Sequence, residues 1–435
     1  MNRGRLAAFD LRGRHRSRPG TGPLAIVCGL PVLVRNLLLI ERAGFRRALI
    51  LADPIDRSLA VSALKGARRL AIECVWIDDA GDSLGPVLAA VPPGGAEVLY
   101  WPGELSCGRF LPDLATADVH PDGALVEHVS TSAARPGLIL FGARALSAIR
   151  NDTAAQLVSS LDRQGRVVVA PAAPQVVAVS SASDVSRAEA ALLQSLRKDV
   201  DGISAKYNRH VSLAISARLM RFPVRPNHAT AAAMLIGIAS GLLAARGGYA
   251  WLLAGAVCYL VNNILDGIDG EIARAKLLES RCGQWFDTLS DDLTNMSFVV
   301  GLAIGSYRTW HANVYLTLGV VAGAGLVIIA AVQYHYLMTV AHCGDLNAFR
   351  SPWERDRPHG VSSELTAVDR VKQVLRRDTF AYVALVAALF GQARVAVWLA
   401  TLGTMTIWVA WAVYVFVLDR DRRDDPSASP SVGKS

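Results

Sequence analysis

The feature that most constrains this sequence is a series of apolar stretches in its second half that contain no Asp, Glu, Lys or Arg. They cover residues 226–245, 247–265, 293–307, 309–340, 379–393 and 395–418. A helix needs about 20 apolar residues to cross the hydrocarbon core of a bilayer. The set therefore predicts six membrane-spanning helices, the third of which begins in the polar segment near Gly283. Buried helices of a soluble protein would explain any single stretch, but not the whole set.

The composition and the distribution of charge agree with a membrane protein. Of the 435 residues, 52% are hydrophobic and 19% are charged, which excludes a mostly disordered chain. The formal net charge is +8, and we attribute it to basic cytosolic loops rather than to a nucleic-acid partner. Most Lys and Arg residues of this half follow the second, fourth and sixth stretches, whereas one Arg follows each of the others. This bias predicts that both termini and the connections after the even-numbered stretches lie in the cytosol. We expect the membrane to be a bacterial inner (plasma) membrane.

The first half of the chain has a different pattern. Short β-rich runs are expected to form strands at residues 48–52, 72–77, 97–101, 138–141 and 166–170. Helix-like runs between them cover residues 32–43, 143–161 and 184–198. Alternating strands and helices predict a soluble, Rossmann-like α/β domain with a largely parallel sheet covered on both faces. The six cysteines form no C-x-x-C pair, so we expect reduced thiols rather than disulfides.

These patterns divide the chain into five parts. Residues 1–22 are expected to be a basic disordered tail; a cleaved secretory signal is the alternative, although its apolar stretch is interrupted by Pro31. Residues 23–200 form the cytosolic α/β domain. Residues 201–225 are expected to be a basic amphipathic helix at the lipid headgroups, or else a linker helix packed on the soluble domain. Residues 226–420 form the six-helix domain, and residues 421–435 a disordered cytosolic tail.

Four aspartates mark the junction of the second and third predicted spans. Asp266 and Asp269 are i,i+3 neighbours, and Asp287 and Asp291 are i,i+4 neighbours, so each pair shares one face of its helix. Because carboxylates at membrane depth are costly and repel one another, cations are needed to bridge them. Oxygen ligands favour Mg²⁺ or Mn²⁺, and two such ions suit phosphoryl-type transfer. Asp292 points about 100° away from this row and is not included.

Glycines and an arginine accompany the aspartates. Gly267, Gly270 and Gly283 remove side chains where a ligand would approach the backbone, and Arg274 offers a guanidinium for phosphate oxygens. The alternative is that the glycines serve only close helix packing. That alternative explains the glycines but not the carboxylates.

Residues 266–291 resemble the complete signature of the CDP-alcohol phosphotransferase family, D-x-x-D-G-x-x-A-R-x8-G-x3-D-x3-D, at every fixed position. Pro226, Asn227 and Thr230 are similar to the family's P-N-x-x-T. The resemblance covers residues 201–418 and implies a six-helix membrane enzyme, commonly a homodimer. Such an enzyme transfers a substituted phosphate group from CDP-diacylglycerol or a soluble CDP-alcohol to an acceptor hydroxyl and releases CMP.

The resemblance also implies roles for particular residues. The ligands of the two divalent cations, Mg²⁺ or Mn²⁺, would be Asp266, Asp269, Asp287 and Asp291, and Asp291 would also act as the base on the acceptor hydroxyl. The CMP and diphosphate site would be lined by Asp266, Gly270, Ala273, Arg274 and Gly283. Candidates for contacts with the rest of the substrate are Asn227, Thr230 and Arg221. Arg221 and the neighbouring Arg209, Arg218 and Arg225 are also candidates for binding anionic lipid.

The first half carries a second resemblance. Residues 27–49 are similar to the segment after the first loop of sugar-nucleotide nucleotidyltransferases. The layout as a whole resembles that of bifunctional inositol-phosphate cytidylyltransferase and di-inositol-phosphate phosphate synthase proteins. However, the glycine-rich loop and lysine that would hold CTP phosphates are not found before Gly29. We therefore expect a degenerate domain that binds a partner or regulates, and a working cytidylyltransferase that makes the CDP-alcohol is the alternative.

Two other classes of function remain open for the second half. Acidic residues inside a membrane can relay ions, but transporter sites are expected near the midplane in proteins with repeat symmetry, and the sequence shows no internal repeat. A non-catalytic membrane scaffold would leave the carboxylates without a compensating role. Metal-dependent release of CMP from a CDP-alcohol would separate the phosphotransferase from both alternatives.

Overall fold

The computed structural model describes residues 5–12, 20–65, 70–79, 81, 83–92, 95–107, 117–128, 136–148, 152–170, 176–196, 203–349 and 377–413. The chain forms two compact units. The first contains residues 1–198 with two later segments, 217–223 and 274–278, and the second contains the remaining residues. The most basic part of the N-terminal tail, the arginine-rich connection at 350–376 and the C-terminal tail at 421–435 lie outside the described residues.

The first unit is built on a mostly parallel seven-stranded sheet. Its strands are β1 Leu6–Asp10, β4 Arg47–Ala52, β5 Glu73–Asp78, β6 Val98–Pro102, β8 Ala124–His128, β9 Pro136–Phe141 and β10 Val167–Ala170. They are arranged in the order β10-β8-β9-β6-β1-β4-β5, and β9 runs antiparallel to both neighbours. Two short antiparallel pairs join β2 Ile26–Val27 to β3 Leu30–Pro31 and β7 Leu105–Ser106 to β11 Val177–Ala178. All five predicted strands are confirmed.

Two hydrophobic cores flank this sheet, as expected for a mostly parallel arrangement. One includes Phe9, Leu37 and Trp101, and the other includes Ala8 and Phe141. The helices of this unit are α1 Val32–Arg42, α2 Pro54–Lys65, α3 Gly85–Ala90, α4 Ala154–Arg163 and α5 Ala182–Ser195. The fold class predicted for the first half, an α/β domain covered on both faces, is confirmed.

Two expectations for this half are wrong. Residues 6–10 are not a disordered tail, because they form β1, which lies between β4 and β6 and is buried from Leu6 to Phe9. This strand is only five residues long, so its apolar run was obscured by the arginines around it. The helix expected at 143–161 is interrupted: it consists of a short 3₁₀ turn at Ala145–Ala148, and then α4 begins after a capping box of Thr153 and Gln156.

The second unit is helical. Its helices are α6 Ile203–Leu219, α7 Pro226–Ala245, α8 Tyr249–Ala275, α9 Arg281–Trp310, α10 Val314–Tyr336, α11 Arg377–Leu389 and α12 Arg394–Val413. The last three residues of α6 and the last two of α8 belong to the first unit. Among the described residues, three helices are long and apolar enough to cross a membrane: α7, α8 and α10 with its continuation to Ala341. The six predicted spans are therefore supported only in part, since α9 carries several aspartates and α11 has 13 residues.

Small residues bring α7 and α9 into close contact. A Cβ atom added to Gly301 would lie 2.8 Å from the Cα of Gly241, and one added to Gly305 would lie 2.9 Å from the carbonyl carbon of Ala244. A Cβ on Gly237 would likewise collide with Thr294. Helices in membranes associate through such small residues because they let backbones approach closely. This interface fixes the position of the aspartate-bearing end of α9 against α7.

Helix α6 packs in this unit through a polar stripe. Asn208, Ser212 and Ser216 follow one another at i,i+4 spacing, and all three are buried. The Ser212 and Ser216 hydroxyls donate to the two carboxylate oxygens of Glu271 on α8, at 2.7 and 2.6 Å. Val211 of the same helix is 49% exposed. The buried face of α6 is thus partly polar, which the amphipathic pattern did not predict.

Candidate active site

Three of the four predicted metal ligands converge between α8 and α9. Asp266 of α8 and Asp287 and Asp291 of α9 each offer a carboxylate oxygen, and these oxygens all lie within 4.8 Å of one another. We call these three residues the acid cluster. Each is half-buried. The i,i+4 spacing on α9 places its two aspartates one turn apart on the side that faces Asp266.

The fourth aspartate, Asp269, lies next to the acid cluster but is held differently. Its carboxylate accepts a hydrogen bond from the Thr230 hydroxyl of α7 and another from the Gly270 amide, the latter at 2.5 Å. Asp269 is buried and lines a narrow cleft with Asp266, Asp291 and residues of α7, α8 and α9. The structure therefore pairs Thr230, expected at the substrate, with a carboxylate of the signature.

The N-terminus of α9 brings together two more of the expected residues. The Ser280 hydroxyl caps this helix by accepting a hydrogen bond from the Gly283 amide at 3.1 Å. Among the described residues, a Cβ on Gly283 would lie 3.1 Å from the Ser280 Oγ and 3.7 Å from the Asn227 Oδ1, with no other atom within 4 Å. Free backbone amides at a helix N-terminus favour phosphate groups. The arrangement suits a phosphate-binding edge with Asn227 beside it.

The remaining expected residues lie on or near α8. Gly270 and Ala273 are half-buried on this helix, and Arg274 is buried in its last turn. Arg221, by contrast, lies in the first unit with its side chain 72% exposed, and its guanidinium is 3.8 Å from Glu189 of α5. A contact of this kind between exposed groups contributes little.

One residue of the site was missed by the sequence analysis, which placed it in a basic connection. The guanidinium of Arg377, the first residue of α11, lies with Nη1 2.6 Å from Asp291 Oδ1 and 3.7 Å from Asp266 Oδ1. No spacing rule links a residue this far along the chain to the signature. Asp292, which the sequence analysis left out, instead accepts a hydrogen bond from the Tyr334 hydroxyl of α10 at 2.5 Å.

The residues present fit divalent cations. Three carboxylates with mutually close oxygens supply the hard ligands that Mg²⁺ and Mn²⁺ prefer. The guanidinium seated against two of them shows that the acid cluster attracts positive charge. The site thus has the donor atoms and the charge that a metal-assisted transfer of a phosphoryl-type group requires.

Comparison with known proteins agrees with this chemistry. Residues 224–416 match the family described as CDP-alcohol phosphatidyltransferase. The chain is similar to the bifunctional IPC transferase and DIPP synthase of Aquifex aeolicus, with 34% identity over 134 residues that cover 30% of each protein. It is also similar to the protein of the same description from Thermococcus kodakarensis, with 33% identity over 35% of this chain and 34% of the relative. The matches thus span about a third of the length of these curated relatives.

A solved structure is similar to part of the chain as well. It is 4-diphosphocytidyl-2C-methyl-D-erythritol synthase from Anaerococcus prevotii, with 14% sequence identity and a TM-score of 0.33. The similarity covers 44% of this chain and 99% of that one.

Proposed function

We propose that the C-terminal part of the chain, which matches the CDP-alcohol phosphatidyltransferase family over residues 224–416, transfers a substituted phosphate group from a CDP-linked alcohol to an acceptor hydroxyl and releases CMP. The donor is CDP-diacylglycerol or a soluble CDP-alcohol, and the reaction belongs to phospholipid or phosphodiester biosynthesis. The proposal rests on one observation. The three aspartates of the acid cluster occupy metal-ligand positions of the family signature, and one carboxylate oxygen of each lies within 4.8 Å of the others.

We assign two roles to the aspartates of the site: binding of the cations and transfer of a proton. Asp266, Asp287 and Asp291 would hold the cations, with Asp269 kept in place beside them by Thr230. Two divalent cations in such a site supply charge neutralisation for the diphosphate and for the departing CMP. Asp291 takes the proton of the acceptor hydroxyl, which makes the oxygen a better nucleophile for phosphorus.

The nucleotide is bound by other residues of the signature. The N-terminal amides of α9 before Gly283 would donate to phosphate oxygens, and the Asn227 Oδ1 lies near Gly283 at the same end of the helix. Gly270 and Ala273 keep this part of α8 free of bulky side chains, and Arg274 supplies a guanidinium for a phosphate oxygen. Because bound cations would stabilise CMP as it leaves, the acceptor oxygen can attack phosphorus directly, and no covalent enzyme intermediate is required.

The test is CMP release by the purified full-length protein. The protein in detergent is incubated with Mg²⁺ or Mn²⁺ and a panel of CDP-linked donors and acceptor alcohols, and the products are identified by mass spectrometry. We expect CMP release that stops when EDTA is added. If no donor yields CMP, the proposal is wrong and the ion-transport or scaffold alternative gains support.

A pair of neighbouring variants tests the role of Asp291. Replacing this base, Asp291→Asn, should lower turnover by at least roughly 10²-fold while nucleotide binding largely survives. The matched control is Asp292→Asn, which removes a charge from the next residue of the same helix but keeps an acceptor for the Tyr334 hydroxyl. Near wild-type turnover in Asp291→Asn would refute the assignment of the base.

We also propose that the domain crosses the inner (plasma) membrane of a bacterium six times, with the site and both termini in the cytosol. Three spans are supported by their length and composition. The other three would be α9, α11 and α12, whose close packing with α7, α8 and α10 includes the Gly241 and Gly301 contact. Lipids are then the surrounding partner, and a homodimer is the expected assembly. Labelling of single cysteines from each side of sealed vesicles would determine the number of spans.

For the first unit, we propose a degenerate nucleotidyltransferase-like domain that binds a partner or regulates. Ligands of open α/β sheets bind beyond the carboxyl ends of the strands, where the strand order reverses, and here this point lies at the end of β1. A side-chain network fills it: Arg12 donates to Asp10 and Asp79, and Tyr100 donates to Asp10 at 2.6 Å. Burial raises the pKa of Asp10, but the hydrogen bonds from Arg12 and Tyr100 outweigh it, so the pKa lies below its usual value.

In this network the Arg12 guanidinium donates to the carboxylates of Asp10 and Asp79, so it cannot also donate to a triphosphate in this position. We therefore expect no pyrophosphate release when the full-length protein receives CTP and an alcohol phosphate. The Asp291→Asn variant is used for this assay because its transferase site is blocked while its first half is unchanged. Steady pyrophosphate release would instead establish the bifunctional alternative, in which the first unit makes the CDP-alcohol that the second consumes.

A further inference from the structure

The Arg377 guanidinium is surrounded by polar side chains of α8 and α9, two of which belong to the acid cluster. Besides its contacts with Asp291 and Asp266, its Nη2 lies 3.3 Å from the Thr294 hydroxyl. With the Asn262 amide oriented so that its nitrogen donates to the Ala233 carbonyl at 2.6 Å, the amide oxygen accepts from Nη2 at 2.9 Å. The Nε atom is buried and has no hydrogen-bond partner in the part of the chain that the structure describes.

This placement has an electrostatic reason. An arginine side chain stays protonated in proteins, so it brings a permanent positive charge to three carboxylates that would otherwise repel one another. The two aspartates in contact with the guanidinium, Asp291 and Asp266, belong to the set of residues that could hold a metal ion. Ligand oxygens bind Mg²⁺ at about 2.0–2.1 Å, and a second cation on the same carboxylate edge is repelled. Arg377 and a divalent cation therefore compete for Asp291 Oδ1, the oxygen that the guanidinium contacts.

We propose that Arg377 is an internal counter-cation that holds the acid cluster together before metal binds and competes with divalent cations for Asp291. The residue is a positioning residue, since it acts through the carboxylates. Its release from Asp291 accompanies metal binding and frees the Asp291 carboxylate. The inference deepens the proposed function, because the competing cations are those that the transferase would use. The unpartnered Nε is consistent with a side chain that has a second position.

The experiment measures binding of Mn²⁺ alone to the full-length protein in detergent, by the loss of the free Mn²⁺ signal in electron paramagnetic resonance. We compare wild type, Arg377→Gln and Arg377→Lys. The matched control is Arg394→Gln, because Arg394 is the first residue of α12 as Arg377 is of α11, yet its guanidinium stacks on Trp310. Unfolding midpoints without metal show whether each variant is folded.

We expect Arg377→Gln to bind Mn²⁺ roughly tenfold more tightly or better, because removing one partner of a half-buried ion pair leaves negative charge uncompensated. Arg377→Lys should lie between this variant and wild type, since an ammonium cannot reproduce the planar fork of hydrogen bonds. Arg394→Gln should match wild type.

Equal or weaker Mn²⁺ binding in Arg377→Gln overturns the proposal. If that variant is unfolded, the Lys variant decides, and affinity no higher than that of wild type overturns the proposal.

The same samples keep this inference apart from the proposed function. CMP release by wild type without any change in Mn²⁺ affinity among the variants would leave the transferase intact and refute the competition. Tighter Mn²⁺ binding in the Arg377 variants with no CMP release by wild type would support the competition and refute the transferase. If neither wild type nor the variants bind Mn²⁺, both proposals are wrong.

Discussion

The close contact between α7 and α9 predicts that Gly301→Ala damages both stability and activity. The new Cβ would lie 2.7 Å from the carbonyl carbon of Gly241 and 2.8 Å from its Cα, and both atoms belong to a helix backbone that cannot rotate away. Favourable carbon contacts need about 3.5–4.0 Å, so the two helices must separate by roughly 0.7–1.3 Å. Overpacking of this kind costs about 1–3 kcal/mol.

The displacement should also reach the active site. Asp291 precedes Gly301 on the same helix by ten residues, or about 15 Å. A misplacement of about 1 Å at reacting groups can lower turnover by about 10²-fold. The matched control is Gly323→Ala on α10, where the new Cβ would lie at ordinary contact distances from Met296 Sδ, 3.5 Å, and Val300 Cγ2, 3.7 Å.

Thermal unfolding in detergent and CMP release measure the two effects. Both variants gain the same intrinsic helix propensity, so their difference isolates the steric effect. We expect the unfolding midpoint of Gly301→Ala to lie roughly 2–12 °C below that of Gly323→Ala. If the two variants unfold at the same temperature and release CMP at the same rate, the interface does not hold the aspartates in place.

Two further predictions concern side chains that touch the signature. Thr230→Val should keep the volume but remove the hydroxyl that donates to Asp269, so CMP release should fall while Thr230→Ser remains near wild type. The double variant of Ser212 and Ser216 to Ala should leave the buried Glu271 carboxylate without two of its donors and lower the unfolding midpoint. An unchanged midpoint would show that α6 is held by its other contacts. Rates of CMP release and thermal unfolding in detergent measure these effects.

The elements that could be predicted from the sequence are those with a strong local pattern. Helix α7 begins and ends at the predicted residues, Pro226 and Ala245, because a proline at N1 and a continuous apolar run define it. The five predicted strands are apolar runs bounded by turns. By contrast, β1 was missed because its neighbours are arginines, and its burial depends on pairing with β4 and β6, which lie far along the chain.

The same distinction applies to the site. Asp266, Asp287 and Asp291 could be placed together because the i,i+3 and i,i+4 spacings on two adjacent helices have a fixed geometric meaning. Arg377 and the polar stripe of α6 could not, because their partners are set by tertiary packing of helices that are distant in sequence. Thr230 is intermediate: its motif was recognised, but its hydrogen bond to Asp269 required the α7–α8 geometry.

The partial agreement between predicted and supported spans has the same origin. Helix α9 has 30 residues, ample length for a bilayer, but the aspartates in its first half lower its apolar character. Two of those aspartates, Asp287 and Asp291, are the ones that the proposed chemistry needs, and ionisable groups at membrane depth are tolerated where they face other protein groups. On α9, the Asp291 carboxylate meets Arg377, and Asp292 meets the Tyr334 hydroxyl. Hydropathy therefore understates the capacity of such a helix to cross a membrane. The tertiary partners that compensate its charges lie on other helices, so they do not contribute to the hydropathy of its own sequence.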